Sequence, residues 1–327
     1  GTTIIVLPGV YTDHTSGWGL RLNKSGTASS PIVLRSQVRG QAVIDGQNGS
    51  TRNLGIYLDG SYHIVDGFEI KGGPMGGIKI WGNYNQILNN DIHHNGTVDG
   101  PGQIGIYSDK ATQNNVYKGN YIHDNGRPAV NLDHGMYLCG DNEIVANNVI
   151  FRNATHGLQI AGYSTVSNMK VYNNVIAYNG KNGIVLWMSL SGIDIKNNIF
   201  YGNGALGISS WEAHGSGVVV DRNLSLGNVS GDYDFTRGGS DYTYTLGTTI
   251  SAGPLFVNST SAAFDPHLKA GSPAIDAGAA LALVSDDLEG SRRPQGTTWD
   301  IGAYEYGGST SLPPAVPSDF RFFTDLP

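Results

Sequence analysis

The chain has a single cysteine, Cys139, so no internal disulfide can staple it and burial and hydrogen bonds alone must hold the fold. Charge is also sparse. The 327 residues carry 20 basic and 27 acidic side chains, a net charge of -7, with Lys and Arg standing singly. A nucleic-acid backbone requires a clustered basic footprint, and none is present. A run of about 18 apolar residues, the length that spans a bilayer, is missing as well. Neither a nucleic acid nor a membrane is an expected partner. The opening residues, Gly1 to Tyr11, read as strand and turn and show no charged start, apolar stretch and cleavage site of a signal peptide. What is abundant is glycine, 47 residues, and asparagine, 28, the formers of tight turns. With 39% hydrophobic residues the chain can bury a core, and its length allows one large all-β domain.

An internal repeat sets the architecture. A glycine followed by apolar-any-apolar recurs as Gly55-Ile-Tyr-Leu, Gly77-Ile-Lys-Ile, Gly105-Ile-Tyr-Ser, Gly135-Met-Tyr-Leu, Gly157-Leu-Gln-Ile, Gly183-Ile-Val-Leu and Gly207-Ile-Ser-Ser, at intervals of 22, 28, 30, 22, 26 and 24 residues. Within each unit a second alternation ends on an asparagine, and a third short strand follows. Three period-2 strands per unit with no 3.6-residue period between them predict one rung of a parallel β-helix. Asparagine tolerates left-handed turn geometry, so Asn90, Asn120, Asn148, Asn174 and Asn198 should stack as an internal hydrogen-bonded ladder.

On these repeats the chain resembles the right-handed parallel β-helix superfamily that includes pectate lyases and alginate-acting enzymes. The resemblance implies an all-β, single-stranded solenoid with three short strands per rung over residues 31–263. Residues 1–30 are expected to form an N-terminal cap and first strand region. Residues 264–306, with Asp287-Leu-Glu-Gly, Arg293-Pro and Asp300-Ile-Gly-Ala-Tyr-Glu-Tyr306, resemble the closing segment of secreted β-helix proteins and are read as a C-terminal cap. Residues 307–327, rich in Gly, Ser and Pro, read as a linker or tail. The scaffold hosts lyases, hydrolases, epimerases and adhesins, so function must come from the site.

Alternation places the middle residue of each glycine strand outward: Tyr57, Lys79, Tyr107, Tyr137, Gln159, Val185 and Ser209. The residues before the glycines, at the loop mouths, include His134, His156 and Asn182. Tyr137 with His134 and His156 brings three proton-transfer groups together from two adjacent rungs. Arg127, Asp109 and Asp133 fall close by in the rung scheme, and loops 95–105 and 125–135 supply groove walls. Lys79 alone would ordinarily be a solvated lysine, and Tyr57 and Tyr107 serve cross-strand packing as readily as chemistry. Trp187 and Trp211 occupy equivalent places four residues after their glycines, as does Trp81, and such rings suit the apolar faces of sugars or the closing of a turn. His93, His94 and His123 lie on the third strand or its exit turn, away from the groove.

A long groove on a solenoid takes a polymer, and the polymers of the resembled family are mostly acidic polysaccharides. Elimination from a uronate requires stabilisation of the enolate-like charge, a base at C5 and an acid for the departing O4. Arg127, His134 or His156 would meet the carboxylate and Tyr137 or Lys79 would act as base, with Tyr107, Asp109, Asp133, Gln159, Trp187, Trp211 and Trp81 binding substrate. The expected activity is that of a polysaccharide lyase on an alginate-like or pectate-like uronan. Mannuronan C5-epimerases on this fold carry Asp-Pro-His, which Leu132-Asp133-His134 resembles without the proline, and C5-epimerisation, which shares the proton abstraction, is the first alternative. Two further readings remain open: a glycoside hydrolase using Asp109 and Asp133, and a non-catalytic glycan binder relying on the tryptophans. No cofactor is required. Calcium is allowed but not demanded by Asp109, Asp133 and Asp141, since the dense Asp clusters of pectate lyases are not evident. A secreted, monomeric enzyme is expected from the resemblance.

Overall fold

The protein is described here from a computed structural model covering residues 1–12, 19–47, 55–96, 102–128 and 130–307. The expected tail therefore lies almost wholly outside the described residues, as do residues 97–101 of the wall expected from loop 95–105.

Three parallel sheets of ten, ten and nine strands run the length of the molecule. The first sheet extends from Thr3–Val6 to Tyr244–Leu246, the second from Gly9–Tyr11 to Thr249–Ile250, and the third from Leu20–Leu22 to Gly231–Asp234. Each rung gives one strand to each sheet, as the three-alternation repeat requires. Residues 3–22 already supply a strand to all three sheets, so the N-terminal stretch is itself a rung.

Inward positions of the third sheet form one column, Ile56, Ile78, Ile106, Met136, Leu158, Ile184 and Ile208, all fully buried and in register. The glycine that precedes each is demanded by close approach. A Cβ on Gly105 would lie 2.6 Å from the Gly135 carbonyl oxygen of the next rung.

Two asparagine ladders turn the corners. The expected one between the first and second sheets continues to Asn223, and a second runs through Asn95, Asn125, Asn153, Asn179, Asn203 and Asn228 between the second and third. In both, each side-chain oxygen accepts from the backbone and side-chain N–H of the asparagine one rung earlier. Asn120 Nδ2, for example, donates to Asn148 Oδ1 at 2.9 Å and to the Ile87 carbonyl at 2.8 Å. Both protons of every interior amide thus find acceptors, and the polar column is stable inside an apolar core.

The segment expected to cap the end instead folds back along the flank. After a short antiparallel pair, Phe256–Asn258 with Asp265–Leu268, it covers the outward faces of the second sheet, packing Leu288, Ile301, Ala303 and Tyr304 on Val149, Val175, Ile199 and Leu224. The outward faces Val149, Phe151, Val175 and Ala177 are apolar where an ordinary solvent face would be polar, which is why a cover is needed. Arg293 anchors this cover through a fully buried ion pair with Glu305 at 2.6 Å.

Candidate active site

The third sheet presents the expected outward column in register, Tyr57, Lys79, Tyr107, Tyr137, Gln159, Val185 and Ser209, and the structure extends it to Arg21 at one end and Asp234 at the other. A parallel column two residues on carries Trp81, Asp109, Trp187 and Trp211. Adjacent strands stand about 4.8 Å apart, so neighbours in a column can act on one sugar residue.

Lys79 and Tyr107 are such neighbours, and their environments push them apart. Burial lowers the ammonium pKa of Lys79, which has no hydrogen-bond or ion-pair partner among the described residues. Burial first, then the neighbouring Cys139 and Asp109, raise the phenol of Tyr107 well above its ordinary value, and its hydroxyl donates to Asp109 Oδ1 at 3.0 Å. One group is therefore biased towards the free amine and the other towards the protonated acid. Tyr137 stacks on Tyr107 with ring centroids 5.9 Å apart. Trp81 stacks on Tyr57 at 4.4 Å and tilts against Tyr107 at 5.6 Å, closing this end of the column with aromatic surface.

His134 and His156 do come together, with ring centroids 5.0 Å apart, but not as cations and not equally accessible. His134 is fully buried. Thr155 has one hydroxyl proton, which it gives to the Asp133 carbonyl at 2.5 Å, so its oxygen must accept from His134 Nδ1–H at 2.6 Å. That leaves Nε2 of His134 as an unpartnered lone pair. His156 is the reverse case. Its Nδ1 accepts from the Asn182 backbone N–H at 3.2 Å, which puts the proton on Nε2. Burial, then the Lys181 ammonium, pull the His156 pKa down to about 3, and burial holds His134 well below the ordinary range. Both imidazoles are thus biased towards the neutral form, which does not favour the charge-neutralising role expected for them.

Arg127 and Asp133 form a brace. The Asp133 carboxylate is fully buried and accepts from Arg127 backbone N–H at 3.0 Å, from Arg127 Nε at 2.9 Å and from Gln103 N–H at 3.0 Å. Asp133 is thereby withdrawn from substrate, and a hydrolase built on Asp109 and Asp133 loses its second carboxylate. Among the described residues no three His, Cys, Asp or Glu side chains are grouped to hold a cation. The carboxylates named for calcium are engaged: Asp109 by Tyr107, Asp133 by Arg127, and Asp141 by the Ser167 N–H at 2.6 Å. These donors do not fit a calcium site. His93 and His123 stack on the second sheet, away from this face, as the strand assignment required.

A cavity lies farther along the same face, beginning two strands beyond Tyr107. A pocket of about 510 Å³ opens over His156, Gln159, Val185 and Ser209, with Trp187 and Trp211 on its lining. Lys181 and Arg237, which the sequence reading omitted, also line it. Lys181 was traceable, since it adjoins Asn182 in the loop-mouth series. Arg237 lies beyond the last glycine repeat and had no periodic signal.

Residues 39–200 match a family described as the right handed beta helix region. Two curated relatives are similar in part: Pectate lyase L of Paenibacillus polymyxa (strain SC2), 32% identical over 46% of this chain and 36% of the relative, and Pectate lyase L of Dickeya chrysanthemi, 32% identical over 29% and 24%. The chain thus spans about a third or less of the length of these relatives. The crystal structure of pectate lyase Pel9A superposes with a TM-score of 0.61 at 19% identity, covering 93% of this chain and 87% of that one. With its three stacked parallel sheets and this matched segment, the chain has the right-handed parallel β-helix fold.

Proposed function

We propose that the chain is a polysaccharide lyase that cleaves a uronic-acid-containing polymer, pectate-like or alginate-like, by β-elimination on the outward face of the third sheet. The observation that carries this reading is the Lys79–Tyr107 pair, a lysine unpaired among the described residues and with a lowered pKa, one strand from a tyrosine with a raised one. Groups driven apart in this way divide into base and acid. Lys79 as free amine takes the C5 proton of the uronate, and the ammonium it becomes then stabilises the charge developing towards the carboxylate. Tyr107 gives its proton to the departing O4, and Tyr137, one strand further, hydrogen-bonds the carboxylate. No cation ligand enters these steps. The partial similarity to two pectate lyases supports the same reaction class. A polymer substrate of this kind is met outside the cell, so we place the protein as secreted.

The test is ultraviolet absorbance during incubation with polygalacturonate and with alginate, with and without chelator. Elimination creates a conjugated unsaturated uronate, so a rise with one polymer that survives chelation is expected. A rise abolished by chelator overturns the metal-free mechanism. No rise with either polymer, together with solvent deuterium incorporated at C5, replaces the lyase with an epimerase.

A further inference from the structure

The large pocket lies about four strand steps from Tyr107 at its far side, roughly 19 Å along the column at about 4.8 Å per step. A single sugar residue cannot reach from Lys79 to Ser209. The pocket is nevertheless within the size of ordinary ligand sites, about 300–1,000 Å³.

Its lining is specific in character. Trp211 is 50% exposed, and the Arg237 guanidinium lies over its ring, 4.5 Å from the centroid. Arg237 makes no ion pair among the described residues, although Asp234 and Glu212 also line the pocket. Asp234 is occupied by Thr236, whose backbone N–H and hydroxyl donate to it at 2.9 and 2.6 Å. A guanidinium stacked on an aromatic face keeps its edge N–H groups free for a planar carboxylate. Lys181 is also on the lining, and its ammonium donates to the neutral amide of Asn131 at 2.5 Å, so its charge is not cancelled. Gln159, His156, Val185 and Trp187 share the lining with the two cations.

We propose that this pocket is a distal subsite for acidic sugar residues of a chain whose reacting residue lies at Lys79 and Tyr107. Trp211 carries a ring face, and Arg237 and Lys181 take carboxylates. The inference deepens the lyase reading and rests on it for the position of the reacting residue. Its consequence is internal action. A polymer must extend over both regions to gain the full interaction, so long chains are favoured over short oligosaccharides.

The test separates binding from turnover. Titration calorimetry of the full chain with polygalacturonate, alginate and their carboxyl-reduced neutral forms is compared with Trp211→Ala, Arg237→Gln and Lys181→Gln. Trp211→Ala is expected to weaken the acidic and the neutral polymer alike, by about tenfold. Arg237→Gln and Lys181→Gln are expected to weaken the acidic polymer severalfold and leave the neutral one unaltered. Trp211→Phe, which keeps an aromatic face, should recover most of the loss, and circular dichroism checks each fold. Unchanged binding in Trp211→Ala and Arg237→Gln, or a parent chain that binds neither polyuronate, overturns the subsite. Weakened binding in these variants without any absorbance rise in the parent keeps the subsite and sinks the lyase. An absorbance rise with unaltered binding does the opposite.

Discussion

Lys79 and Tyr107 make the proposed chemistry a statement about pH. Lys79 must be neutral to accept a proton, and burial lowers its pKa, so the active fraction grows as pH rises through that lowered value. Tyr107 must stay protonated, and its raised pKa keeps it so throughout the working range. Turnover should therefore climb as pH rises towards the lowered lysine value and fall only when the tyrosine ionises. A flat or acid-favoured profile of kcat would contradict the assignment. Lys79→Arg, permanently charged, should reduce kcat by at least about 10²-fold, and Tyr107→Phe by about 10² to 10⁴, the usual range for losing a general acid or base. Single-turnover absorbance is the measurement for both.

A third residue titrates for structural reasons. Glu143 is fully buried and accepts from Ser108, Thr112, Asn115 and Tyr117, yet desolvation outweighs these bonds and pushes its pKa up to about 7. Folding therefore favours its protonated form. Between the unfolded value near 4.5 and about 7 the unfolded chain releases the proton first, so this residue's contribution to stability is full below that window and lost as pH rises through it. The difference in Tm between the parent and Glu143→Gln should change across that interval and level off above it. At this scale the sequence made the outward column legible, because alternation dictates it. Burial at the loop mouths was not legible. His134 is closed in by Thr155 of the following rung, and no spacing within its own rung announces that contact.

Strands here average a few residues, and the corners between them do much of the specifying. Replacing Asn148 by Ala in the middle of its ladder orphans the backbone and side-chain N–H groups of Asn120 and the acceptor it meets at Tyr117. Each buried unsatisfied group costs about 1–3 kcal/mol, so a loss of at least about 3 kcal/mol is expected in denaturant unfolding. Asn148→Asp keeps one acceptor pattern but not the donors, and should be no milder. The first ladder was readable because its asparagines sit at the end of a repeated alternation. The second, from Asn95 to Asn228, escaped notice because the residues just before it, His94, Asp124, Arg152, Tyr178 and Gly202, share no type. Their common property is left-handed backbone geometry, which a residue-type pattern does not display.

At the scale of the whole molecule, the flank segment is held where solenoid turns offer it partners. Asn147 Nδ2 donates to the Asp286 carbonyl, Asn173 Nδ2 to the Asp300 carbonyl at 2.9 Å, and Asn197 Nδ2 to the Ala279 carbonyl at 2.8 Å. Arg293 then ties the segment internally to Glu305 and outward to Asn147 at 3.2 Å. Glu305→Ala leaves the Arg293 charge buried without its partner, a change worth about 3–5 kcal/mol, and calorimetric unfolding should show it. The segment was legible as a structural unit from its Asp and Arg residues. Its position was not, since that depends on which apolar outward faces the rungs leave uncovered.

That flank has a consequence for how the molecule comes apart. A stack of rungs coupled only to nearest neighbours frays from its ends, one layer at a time. The covering segment reaches across several layers at once, from the turn at Asn147 to the turn at Asn197, so none of those layers can peel away while it remains seated. It acts as a clasp that turns a gradual unzipping into a concerted opening, and a groove long enough for a polymer thereby keeps its floor straight along its middle.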